Sequence, residues 1–213
     1  MAKFKAVIFD WDGTLFDSIR YALVVYRELF KELGIADIHW KKFREEFKAD
    51  YHKYYEEKGV PPSAFKEVDR LWIELYEAGE KKLKLMPGVK RLLAALKRRK
   101  VKIGLVSNGS KGRIVRELKQ NGIFNCFGVI VTGGDIPEFK PSPKGVVFAC
   151  GALKVRPRDA LYVGDMADDL VAGRRAGTKT AAVASGIHTV KRLLREKPDY
   201  LMHDATGVLQ LLQ

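Results

Sequence analysis

Lys5-Ala6-Val7-Ile8-Phe9-Asp10-Trp11-Asp12-Gly13-Thr14 carries four consecutive apolar residues straight into two aspartates and a glycine. An apolar run without polar alternation suits a strand covered on both faces, and acidic and glycine residues at its end mark a loop that carries function. The run is far too brief for a signal-peptide core or a membrane span, so it reads as a first buried strand.

Beyond it the period changes. Ile19, Leu23, Tyr26, Phe30 and Leu33 recur at helical spacing, with Asp17 or Ser18 placed to cap the start and Gly34 to stop the end. Trp40, Phe43 and Phe47 suggest a second helix. Phe65, Val68, Leu71, Trp72 and Leu75 suggest a third after Pro61-Pro62, with no strand between them. Residues from about 18 to 85 therefore form a helical insertion.

From Pro87-Gly88 helix and strand alternate. A helix runs to Arg99, and strands are expected over 102–106, 129–131, 160–163 and 180–184, with a last edge strand at 200–202. Helices are expected over 143–152 and 168–176, the latter stopped by Gly177, and a closing helix to Leu212. Such alternation implies an α/β fold, a doubly wound, mostly parallel Rossmann-like sheet.

The 213 residues, 46% of them hydrophobic, suffice for one domain carrying an insertion. The two cysteines, Cys126 and Cys150, are too few for a disulfide framework and form no zinc pattern, which suits a reducing cytoplasm. Lys and Arg outnumber Asp and Glu by 39 to 26, and the net charge of +13 favours anionic partners. The basic residues are scattered and no nucleic-acid motif accompanies them, so nucleic acid is disfavoured as a partner. The run Lys97-Arg98-Arg99-Lys100 ends an expected helix, where cations complement the helix dipole.

The polar residues Asp10, Asp12, Ser107, Lys140, Asp165 and Asp169 follow expected strands or sit in the loops after them. In an open parallel sheet that edge binds ligands. It would gather carboxylates, a hydroxyl and an ammonium, the inventory that holds a divalent cation and a phosphate.

At these positions the chain resembles the haloacid dehalogenase superfamily, in its phosphoglycolate-phosphatase-like branch with an inserted helical cap. Asp10-Trp11-Asp12-Gly13-Thr14-Leu15 looks like the first motif and Ser107-Asn108-Gly109 the second. Lys140-Pro141 looks like the third, and Gly164-Asp165-Met166-Ala167-Asp168-Asp169 the fourth. The resemblance covers essentially the whole chain. It implies a core of residues 1–16 and 87–213, and a cap of residues 17–86.

The resemblance further implies a cytoplasmic, Mg²⁺-dependent phosphatase acting on a small phosphorylated metabolite, a monomer or small homo-oligomer without membrane contact. Asp10 would attack phosphorus and Asp12 would serve as acid and base, helped by a neighbouring carboxylate and a phosphate that raise its pKa. Asp10, the backbone carbonyl of Asp12 and Asp165 would hold the metal, with Asp169 acting through water or on the other ligands. Ser107 and Asn108 would bind phosphate, Lys140 would neutralise it, and Thr14 is included as support. Trp11 is read as a packing residue whose N–H, not its ring, faces phosphate. Asp168 reads either as a ligand or as helix N-terminal charge.

Asp12 favours phosphate-ester chemistry over the dehalogenase branch, which lacks an aspartate there. The mutase branch carries a histidine in the first cap helix, and Ala22 holds that position here. Alternatives are an inorganic pyrophosphatase, a phosphosugar mutase, or a non-catalytic nucleic-acid-binding module. Arg20, Lys48, His52 and Lys53 read as solvated surface charge, and Trp40, Phe43, Phe47, Trp72 and Tyr76 as helix packing.

Overall fold

Strand β1 (Ala6–Phe9) lies inside a six-stranded sheet, and all four of its side chains are buried. Ala6 and Ile8 pack with Val106, Val131 and Val146 on one face, while Val7 and Phe9 pack with Leu92, Leu96 and Ile114 on the other. Successive side chains point to opposite faces, and both faces are covered, so no position in the strand tolerates a polar residue. The computed structural model describes residues 4–212.

The remaining strands are β2 (Lys102–Ser110), β3 (Val129–Gly133), β4 (Ala160–Gly164), β5 (Lys179–Val183) and β6 (Tyr200–Met202). Their order is β3-β2-β1-β4-β5-β6, and every neighbouring pair is parallel. This is doubly wound order. The winding changes direction beside β1, so a crevice opens at the carboxyl ends of β1 and β4. There the Asp10 N–H donates to the Val163 carbonyl at 2.9 Å, which brings the loops after the two strands together.

Between β1 and β2 the chain forms α1 (Ile19–Glu32), α2 (Trp40–Glu46), α3 (Tyr51–Glu57) and α4 (Phe65–Glu77) before α5 (Val89–Arg98). The first four share an aromatic cluster of their own, including Tyr26, Phe30, Phe43, Tyr54 and Tyr55, which Met166 and Ile187 join from the sheet side. The two connections to the sheet run side by side. Phe16 bridges antiparallel to Leu85, Asp17 N–H donates to the Lys84 carbonyl, and Met86 N–H donates to the Leu15 carbonyl.

After β2 come α6 (Lys111–Gln120), α7 (Lys144–Ala152), α8 (Ala167–Ala176) and α9 (Val190–Arg195). Helices α5 and α6 cover one sheet face, and α7 and α8 the other. Among the described residues no helix is long and apolar enough to cross a membrane.

Several local readings change. Helix α3 was not expected, because Tyr-His-Lys-Tyr-Tyr-Glu-Glu has little apolar periodicity; burial of Tyr54 and Tyr55 holds it. Strand β2 continues past Val106 to Ser110, and α9 lies where no helix was assigned. The closing segment, Ala205–Leu212, is a 3-10 helix. Ser18 is the N-cap of α1, but its hydroxyl makes no cap bond; it donates to Asp12 at 2.6 Å.

Candidate active site

Asp10, Asp165 and Asp169 are buried and each offers an oxygen within 4.8 Å of the others. Asp10 follows β1 and Asp165 follows β4, while Asp169 stands one turn into α8, so sheet topology alone sets them face to face. Lys140 reaches between them, donating to Asp10 at 2.5 Å and to Asp169 at 2.7 Å.

Asp165 and Asp169 are held from behind. Thr14 Oγ1 donates to Asp165 Oδ1 at 2.9 Å and Ile187 N–H to Oδ2 at 2.8 Å. Tyr162 OH donates to Asp169 Oδ1 at 3.2 Å, and Met166 N–H to Oδ2 at 3.0 Å. Gly13 has φ +76°, and a Cβ there would stand 2.5 Å from Asp165 Oδ2, so both conformation and space demand glycine. A Cβ at Gly186 would come within 2.0 Å of that same oxygen.

Gathering like charges away from water has electrostatic consequences. Burial, with Asp169 beside it, pushes Asp165 up to about 7. Burial and the two neighbouring carboxylates also raise Asp10 well above the ordinary range, against the pull of Lys140. Burial disfavours the Lys140 cation, but Asp10 and Asp169 outweigh it and hold the ammonium charged. Three hard oxygen donors around one cation leave negative charge uncompensated, and this donor set fits a divalent metal.

Asp12 is different. Its side chain stands apart from that trio and is paired with Arg113 of α6, at 2.9 Å through Nη1 and 2.5 Å through Nη2. Burial would raise its pKa, yet the guanidinium and its hydrogen bonds bring it below the ordinary value. No sequence signal placed Arg113 beside it, and among the protein's own groups this guanidinium sets the direction. Arg113 also pairs with buried Glu117, which accepts from Trp11 Nε1 at 2.6 Å and Tyr76 OH at 2.9 Å. The Trp11 ring is stacked on Phe16 and its indole N–H is spent on Glu117, not on the crevice.

The other candidate residues have the following protein partners. Ser107 stays at the crevice, its Oγ accepting from Gly109 N–H at 3.0 Å. Asn108, expected on phosphate, lines the cavity, and its side chain donates to the Ala49 carbonyl at 2.9 Å and accepts from Lys140 N–H at 3.2 Å. Thr14 likewise serves Asp165, as described. Asp168 accepts from Ala49 N–H at 3.4 Å, so it meets the inserted helices. Lys48 pairs with Glu57, His52 with Asp69 and Lys53 with Asp50, while Arg20 lies over the Trp40 ring.

A cavity of about 280 Å³ is lined by Asp10, Asp12, Ser107 and Lys140 from the sheet edge and by Trp72 and Tyr76 from α4. Sequence reading also missed His188, which is fully buried. Its Nδ1 accepts from Ala167 N–H at 2.8 Å, so Nε2 carries the proton and donates to the Phe47 carbonyl at 3.2 Å. Burial, with Arg192 nearby, pushes its pKa down to about 4. Arg44 of α2 donates to the Ile187 carbonyl at 2.5 Å, a second tie between inserted helices and sheet.

The family model described as haloacid dehalogenase-like hydrolase matches residues 7–183. A phosphoglycolate phosphatase of Aquifex aeolicus is 28% identical over 98% of this chain and 96% of its own. The pyrophosphatase PpaX of Oceanobacillus iheyensis is 28% identical over 98% of this chain and 96% of its own. The structure of a haloacid dehalogenase-like family hydrolase from Streptococcus pneumoniae superposes with a TM-score of 0.83 at 24% identity, over 100% of each chain. With its motifs gathered at the carboxyl ends of β1 and β4 and the family match running from β1 through β5, the chain belongs to the haloacid dehalogenase-like hydrolases.

Proposed function

We propose that the protein is a Mg²⁺-dependent phosphatase that hydrolyses a small phosphomonoester through an aspartyl-phosphate on Asp10. The observation that carries this reading is the Asp10, Asp165 and Asp169 trio bridged by Lys140 at the edge of a cavity. A carboxylate oxygen of Asp10 attacks phosphorus, the ester P–O bond breaks, and its electron pair leaves with the alcohol oxygen, which takes a proton from Asp12. Water then attacks the same phosphorus, Asp12 accepts its proton, and the P–O bond to Asp10 breaks to release inorganic phosphate.

Lys140 neutralises charge beside the nucleophile, and Ser107, set by its bond to Gly109 N–H, donates its hydroxyl proton to a phosphate oxygen. Asp12 paired with Arg113 is in the base form that the second step uses; a proton on it for the first step loosens that pair. Asp10, Asp165 and Asp169, with the Asp12 carbonyl, would hold Mg²⁺, which would neutralise phosphate charge. Residues 17–86 act as a cap on a core of residues 1–16 and 87–213, excluding water from the cavity.

The test is release of inorganic phosphate from a panel of phosphomonoesters and pyrophosphate, with and without Mg²⁺, by the wild type and Asp10→Asn. Mg²⁺-dependent release that falls at least about a thousandfold in the variant is expected. Absence of release from every compound, or undiminished release by Asp10→Asn, overturns the reading.

A further inference from the structure

The charged residues lining the cavity are Asp10, Asp12, Asp69, Arg113 and Lys140. Lys140 is committed to Asp10 and Asp169. Arg113 is committed to Asp12 and, independently of the state of Asp12, to Glu117, whose carboxylate is 1% exposed and has no other cationic partner among the described residues. Asp69 adds negative charge and is paired with His52. A carboxylate or second phosphate on the leaving group would therefore find no uncommitted cationic side chain among the described residues of the cavity wall, and burying an unpaired anion is strongly unfavourable.

The rest of the wall is of the opposite character. Tyr26, Phe43, Phe47, Tyr55, Trp72 and Tyr76 line the cavity, and helical periodicity had marked Phe43, Phe47 and Trp72 as packing residues only. Trp72 and Tyr76 are stacked, with ring centroids 4.8 Å apart and planes at 19°. The Trp72 indole N–H is shut off from solvent and has no acceptor among the described residues. At about 280 Å³ the cavity has room for a ring beyond the phosphoryl group.

We infer that the physiological leaving group is an uncharged, ring-bearing alcohol or phenol, seated against the aromatic wall contributed by α1, α2, α3 and α4. This rests on the phosphatase reading above. Apolar surface removed from water, that of the ring itself and of half-buried Phe47 and Trp72, supplies its binding energy.

The experiment compares kcat/KM of the Mg²⁺-loaded wild type for benzyl phosphate, 2-phosphoglycolate and pyrophosphate, then repeats the benzyl and glycolate measurements with Trp72→Ala. Expected is a benzyl phosphate value at least roughly tenfold above both anionic compounds, and a benzyl-to-glycolate ratio that falls by about tenfold in Trp72→Ala, mainly through KM. A preference for 2-phosphoglycolate or pyrophosphate, or a ratio that Trp72→Ala leaves unmoved, overturns this inference while leaving the phosphatase reading intact. No phosphate release from any of the three overturns both. The wild-type ranking stands even where the variant folds poorly.

Discussion

Arg113 grips both carboxylate oxygens of Asp12, at 2.9 and 2.5 Å, across 101 residues of sequence. The same guanidinium closes a buried network with Glu117 and Tyr76, so one side chain joins the proposed acid and base, the helix behind it and the inserted α4. Its removal frees Asp12 from the cation that depresses its pKa, and burial then prevails. In Arg113→Met the limb of the pH–rate profile that reports Asp12 moves to higher pH. Glu117 is left buried without a cation, and denaturant melts show a loss of about 3 kcal/mol.

A divalent metal held by the carboxylate trio is expected to stabilise the fold by relieving its like charges. Adding Mg²⁺ to metal-stripped protein raises the melting temperature, by the equivalent of about 2.7 kcal/mol at a hundredfold excess over Kd. Asp165→Asn removes one donor and flattens the response. Differential scanning calorimetry with and without chelator measures both.

Gly186→Ala is a small change with a large local effect, because its Cβ would stand 2.0 Å from Asp165 Oδ2. The carboxylate must move from the position that Thr14 and Ile187 give it. Metal affinity, read by titration calorimetry, falls at least roughly tenfold, as expected when the support of a ligand is disturbed.

His188 makes stability pH-dependent. Its folded-state pKa is about 4, below the ordinary 6.5, so the neutral form is the one the fold accepts. Its contribution is complete above about 6.5, is lost progressively as pH falls toward about 4, and is constant below, for a total of roughly 3 kcal/mol. The stability difference between wild type and His188→Gln, followed by urea denaturation from pH 8 to about 4, therefore narrows as pH falls. A difference constant over that span would contradict the assignment.

The apolar run of β1, the change to helical period after Asp17 and the alternation after Gly88 were legible because they are local: a strand or an amphipathic helix writes its period into adjacent residues. The loops bearing Asp10, Ser107, Lys140 and Asp165 were legible for a related reason, since a doubly wound parallel sheet brings strand ends to one edge. Helix α3 was not, because its hold is the tertiary burial of Tyr54 and Tyr55.

The sequence by itself therefore determined the class of fold, the helical insertion and the strand-end chemistry. Only the tertiary structure decided the partners. Arg113 on Asp12, Thr14 on Asp165, Asn108 on Ala49 and His188 on Phe47 join residues far apart in the chain. Periodicity marked Phe43 and Trp72 as apolar, but a helical face looks the same in sequence whether it meets a neighbouring helix or a cavity. The physical reason is range: secondary structure answers to neighbours in sequence, whereas charge pairing and cavity shape answer to neighbours in space.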